Sequence, residues 1–347
     1  MTRILALVIT AAAFVVLVAC ATHPQPAPEP ATQQIVYMAP VKLDTLGPQG
    51  SELVMMNLDG TDSVQLTDNA TQEFLPHFSP DATKVAYTKY TTGSYGVANE
   101  TAVIGVVDVA TLVDTELTTG PNDGDAAWSP DGKRIAYLSQ SAGVEGLWIM
   151  NADGSDPQRV GGPTGSDDDE VWGDIAWSSD DWILFVVAQG MQSGCFKTRL
   201  DKIRPDGSTR TQLDDGGPSC TPAGMEQSGD ADPAFSADGK TIYSSRGMPS
   251  APAGSPPAGT TERKLYALSS DAWTADKPEQ DLSLPSEPAC IEGVPKGSPD
   301  GTRVLEYRAC FYEPNERAGV YVTDTAGSYR TYIADGFGPD WNPLATQ

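Results

Sequence analysis

Apolar residues along the chain fall at alternate positions in short runs, and each run closes on a polar cluster rich in Asp, Gly, Ser and Pro. A period of two predicts half-buried strands joined by tight turns. One segment shows the pattern whole: AAWSPDGKRIAYLS, residues 126–139, sets an aromatic, an Asp-Gly turn and an alternating run in succession. Asp-Gly between such runs predicts a hairpin, because glycine takes positive φ at little cost.

The segment recurs as PHFSPDATKVAYTK from residue 76, IAWSSDDWILFVVA from 175, PAFSADGKTIYSSR from 233 and PKGSPDGTRVLEYR from 295, with a truncated copy, PDWNP, from 339. The aromatics Phe78, Trp128, Trp177, Phe235 and Trp341, with Gly297 in the place of one, stand 50, 49, 58, 62 and 44 residues apart. A second alternating run with a polar turn follows each, as in LWIMNADGSDPQRV from 147 and LDKIRPDGSTRTQL from 200. Four antiparallel strands per repeat predict an all-β fold, a β-propeller. QIVYMAP from 34 and ELVMMNLDGTDSVQLT from 52 supply the three strands that the last copy lacks. The expectation is six four-stranded blades over residues 35–347, closed by N-terminal strands and a C-terminal innermost strand.

The motifs WSPDGKRIAY and IMNADGS resemble the repeat of TolB-type propellers, over nearly all of the stretch from Ile35 to Pro343. The resemblance implies a role in cell-envelope assembly, in partnership with envelope lipoproteins. TolB itself carries a separate domain ahead of its propeller, and here the chain is expected to pass straight from a linker into the first strands.

Residues 1–19 read as a secretory signal, with Arg3 followed by an apolar run from Ile4 to Ala19. The run is short for a transmembrane helix. LVAC, ending at Cys20, resembles a bacterial lipobox, which makes Cys20 the lipidated residue and the N-terminal lipid the link to a membrane. Residues 20–34 form a Pro-rich tether. Ala21 after the cysteine suggests the outer membrane, by resemblance to Gram-negative lipoproteins; in a single-membrane organism the anchor would face outward.

A formal charge of −25 disfavours nucleic acid and anionic headgroups as partners. Cys195, Cys220, Cys290 and Cys310 are even in number in an exported chain, which predicts disulfides. Counting alone permits three pairings; proximity in the predicted loops favours Cys195 with Cys220 and Cys290 with Cys310.

Strand order places short turns on one face of the ring and long segments on the other: 90–101, 161–174, 214–232 and 247–262. The loop-rich face is the expected binding face, for a protein or glycan partner. Asp125, Asp174 and Asp232 each stand three residues before a repeat aromatic, near the predicted channel mouth. Two readings stand for them: hard-oxygen ligands for Ca²⁺ or Mg²⁺, or turn caps that need no ion.

Catalytic signals are sparse. His23 and His77 are the only histidines, so a multi-histidine zinc site is excluded by count, and no Gly-x-Ser-x-Gly elbow is present. His77 reads as a packed strand residue. The leading expectation is therefore a lipid-anchored binding or scaffold module of the cell envelope, in the periplasm or at the outer surface. The alternative is a lyase or glycosidase acting on polysaccharide with acidic residues at the channel mouth, assisted by calcium.

Overall fold

The alternating runs fold as strands, and the Asp-Gly clusters become turns between them. The computed structural model describes residues 33–40, 50–69, 71–92, 101–139, 146–162, 169–189, 197–213, 228–247, 263–271, 279–283, 290–310 and 317–344. The signal, Cys20, the tether up to residue 32, Cys195 and Cys220 lie outside them, as does part of each of the four long segments. All the regular elements among the described residues are strands.

In chain order these are β1 (Gln34–Pro40), β2 (Ser51–Asn57) and β3 (Val64–Gln65). Next come β4 (Gln72–Phe78), β5 (Lys84–Thr92), β6 (Thr101–Asp108) and β7 (Asp114–Glu116). The next repeat gives β8 (Asp123–Trp128), β9 (Arg134–Ser139), β10 (Gly146–Asn151) and β11 (Gln158–Gly161). Then follow β12 (Asp169–Trp177), β13 (Ile183–Gln189), β14 (Lys197–Ile203) and β15 (Arg210–Gln212). After them come β16 (Ser228–Phe235), β17 (Thr241–Gly247), β18 (Arg263–Ser269) and β19 (Gln280–Asp281). The chain finishes with β20 (Cys290–Gly297), β21 (Arg303–Cys310), β22 (Gly319–Asp324), β23 (Arg330–Ala334) and β24 (Phe337–Trp341).

Hydrogen bonding gathers them into four sheets, not six. Three sheets have four antiparallel strands: β24-β1-β2-β3, β4 to β7, and β8 to β11. The expectation of six separate blades is corrected here, because β12 to β23 form one twelve-stranded sheet. Within it, three antiparallel runs are joined where Lys197–Thr198 pairs in parallel with Ser228–Gly229, and Arg263 with Ile291. β16 and β20, eight residues each, are the inner strands that make these bridges. The closing sheet takes strands from both ends of the chain, with Ile35 paired to Trp341.

Each inner strand touches the next, from β4 through β8, β12, β16, β20 and β24 and back to β4. Apolar clusters fill the seams: Val36, Leu53, Phe78, Val85 and Tyr87 between the closing sheet and its neighbour, and Ala136, Leu147, Ile183 and Phe185 further round. A fully buried side chain of this kind contributes roughly 1.5–3 kcal/mol. The repeat aromatics tie the seams together. Trp128 Nε1 donates to the His77 carbonyl at 3.2 Å, and Trp341 Nε1 to the Lys296 carbonyl at 2.8 Å.

The repeated turn explains the Ser-x-Asp signature. Ser129 Oγ donates to Asp131 Oδ1 at 2.7 Å and accepts from Arg134 N at 2.9 Å, while Gly132 takes φ 68°. Ser79, Ser178, Ser236 and Ser298 make the same bond to Asp81, Asp180, Asp238 and Asp300.

Candidate functional site

Each inner strand breaks register with its neighbour through a bulge two to four residues before its repeat aromatic or the matching position. There the chain takes positive φ at Leu75, Asp125, Gly173, Asp232, Val294 and Gly338, between 49° and 70°. A bulge bends the strand and re-aims a side chain. Left-handed φ is rare for Leu and Val, so these positions mark where the surrounding packing overrides local preference.

The bulged strands enclose a cavity of about 370 Å³ on the loop-rich face, lined by Leu75, Asp125, Asp174, Asp232, Arg263 and Val294 among others. All three sequence-predicted aspartates thus come together. Asp125 N donates to Thr88 Oγ1 at 3.0 Å, and Ser245 Oγ donates to Asp232 Oδ2 at 2.5 Å. Asp174 is 4% exposed, and its Oδ2 has no hydrogen-bond partner among the described residues. Burial first, then the Asp232 charge, pushes Asp125 up to about 6, and Lys296 offsets part of the rise. Burial is also the main cause that raises Asp174 well above the ordinary carboxylate range, with Lys296 opposing and Asp232 and Asp125 adding to it.

All three aspartates line this cavity, and Asp232 also accepts from the Ser245 hydroxyl within its own antiparallel run. Among the described residues no group of three or more His, Cys, Asp or Glu is arranged to hold a metal ion.

A second cavity, about 440 Å³, opens on the turn face, with His77, Lys296, Asp340, Trp128, Trp177 and Trp341 in its lining. His77 sits with Nδ1 3.9 Å from Asp340 Oδ2, and burial, then the Lys296 charge, holds its pKa well below the usual value. It is a packed imidazole. Asp340 accepts from Phe78 N at 2.9 Å, and burial pushes it up to about 6.

Lys296 and Asp340 carry the electrostatics of this end without having been singled out from sequence. The signal was available. Each stands one residue before the repeat aromatic or its Gly297 substitute, as His77 does, where the other copies place Ala127, Ala176 and Ala234. Of the four predicted cysteines, Cys290 and Cys310 are joined in a disulfide.

The chain matches no established family profile. Over 109 residues it is 27% identical to the curated Protein TolB homolog of Chlorobaculum tepidum, a match that covers 31% of this chain and 24% of that relative's length. TolB from Acinetobacter baumannii superposes with a TM-score of 0.60 at 18% identity, over 89% of this chain and 66% of the other. A putative TolB from Agrobacterium tumefaciens gives 0.57 at 15% identity, over 88% and 90%.

Proposed function

From the premise that the chain is a TolB-type β-propeller, we propose that it is a lipid-anchored binding module of the cell envelope that engages a protein partner through its loop-rich face. In this reading the three antiparallel runs of the twelve-stranded sheet are three blades, which brings the ring to six. The N-terminal lipid on Cys20 holds the module at the outer membrane on its periplasmic side, or at the outer surface. Cys195 and Cys220 form a second disulfide.

One observation carries the binding reading: the loop-face cavity gathers Asp125, Asp174 and Asp232, and Asp174 presents a carboxylate oxygen with no partner among the described residues. An unsatisfied buried acceptor is costly to leave unmade. A Lys or Arg side chain of a partner supplies a donor to that oxygen and favours the ionised form that burial disfavours. Capture from envelope extract on the immobilised Cys20→Ser chain tests this. A bound protein displaced by a lysine-rich peptide supports it, and the absence of any bound protein contradicts it. In cells, Cys20→Ser is expected to release the chain from membranes; continued membrane fractionation contradicts the anchor.

A polysaccharide-acting enzyme is the second reading, and the raised pKa of Asp125 in an open cavity favours it, since a general acid needs a carboxyl that keeps its proton near neutrality. Release of reducing ends or unsaturated sugars from envelope polysaccharide, lost in Asp125→Asn, would establish it.

A further inference from the structure

Among the described residues, the seam between the second and third runs of the twelve-stranded sheet has the smallest apolar cluster, Tyr243, Leu265, Leu282 and Val304. Charge takes the remaining space. Arg308 is 1% exposed, and its Nη1 donates to Glu292 Oε1 at 2.8 Å. Arg330 Nη1 reaches the same Glu292 oxygen at 3.1 Å, and its Nε donates to Glu306 Oε1 at 2.5 Å. Leu265 N and Ser283 Oγ complete Glu292 through Oε2. Removing one member of such a network leaves an uncompensated buried charge.

The second guanidinium arm of Arg308 points elsewhere: Nη2 donates to Cys290 Sγ at 3.1 Å. Cys290 and Cys310 face each other across β20 and β21 and are disulfide-bonded. Their surroundings differ. Cys290 is 4% exposed, whereas Cys310 is half-buried. A guanidinium against one sulfur favours the thiolate on that sulfur. A thiol whose thiolate is favoured is the better leaving group in exchange.

We propose that Cys290–Cys310 is a directional thiol-exchange site, attacked at Cys310 with Cys290 as the leaving thiolate held by Arg308. The balance closes with a dithiol as reductant. Its thiolate bonds to Cys310 Sγ, the Cys310–Cys290 bond breaks, and the electron pair stays on Cys290. The second thiol of the dithiol loses its proton and displaces Cys310, so the dithiol is oxidised and the protein disulfide reduced. The network supplies the counter-charge: the Arg308 and Arg330 guanidiniums converge on one Glu292 oxygen, and burial, then the Glu292 charge, pushes the neighbouring Glu306 up to about 8. A passive staple has no need for that asymmetry.

The test treats the folded full-length Cys20→Ser chain with reduced glutathione, blocks free thiols with N-ethylmaleimide under acid quench, and maps the peptides. Glutathione is expected on Cys310 and maleimide on Cys290, roughly tenfold over the reverse. Arg308→Gln is expected to slow exchange by roughly tenfold and to even the two products. Should that variant fail to fold, the map of the parent chain decides alone. Glutathione mainly on Cys290, an even split, or exchange only in denaturant overturns the proposal.

Discussion

Asp125 and Asp131 stand six residues apart on either side of Trp128, and their carboxyls move in opposite directions. The Ser129 hydroxyl, then the Lys133 N–H, holds Asp131 below its ordinary value on the turn face. Burial, then the Asp232 charge, pushes Asp125 up to about 6 inside the loop-face cavity. The difference teaches which end builds the ring and which end is left with unmet chemistry. At the turn face every repeated Ser and Asp has a local partner. At the loop face the Asp174 carboxylate has an oxygen without one among the described residues.

If that division holds, substitutions at the two ends should act with opposite sign. The largest effect is expected from Trp128→Ala, which removes a 7% exposed indole and its bond to the His77 carbonyl. A loss of roughly 3–5 kcal/mol is expected in denaturant unfolding, and a loss under 1 kcal/mol would break the assignment of the aromatics to the seams.

The pH dependence comes next. Asp125 and Asp340 rise from 3.8 to about 6, and Glu306 from 4.5 to about 8. Between the unfolded and folded values the folded chain holds protons that the unfolded chain has given up. Stability therefore falls as pH rises through this window. Thermal unfolding is expected at a higher temperature at pH 5 than at pH 8, and the reverse order would contradict the burial of these carboxyls.

Smaller still, Asp125→Asn should raise stability at pH 8 by about 1 kcal/mol, after discounting for solvent in the cavity, and change little at pH 4. Asn also tolerates φ 55° at that position. A gain equally large at pH 4 would show that charge is not the cause. Gly132→Ala, at φ 68° in the turn, should cost about 1 kcal/mol at either pH. A pH-dependent cost there would blur the contrast between the ends.

Much of the ring was legible in the sequence, because the aromatic, the Ser-x-Asp turn and the alternating run each force a local geometry that repeats. Asp125, Asp174 and Asp232 were legible by their shared distance from the aromatic. Lys296 and Asp340 were legible in the same way, one residue before the aromatic or its substitute, but three copies carry alanine there, so the shared position draws the eye only when the copies are aligned. The bulges at Leu75 and Val294 run against local preference, so nothing in those residue types announces positive φ. Glu292, Glu306, Arg308 and Arg330 sit in alternating runs as polar positions do on a solvated face, yet the seam buries them. The fusion of three runs into one sheet rests on parallel bridges of one or two residues, too short to leave a pattern.

Binding by the loop-face carboxylates is tested most directly by side-by-side capture from envelope extract. The immobilised Cys20→Ser chain would be compared with the same chain carrying Asp125→Asn, Asp174→Asn and Asp232→Asn together, and with one carrying Lys133→Gln at the turn face. The predicted result is a protein retained by the first and third and lost by the triple variant. Equal retention by the triple variant, or loss confined to Lys133→Gln, would contradict it.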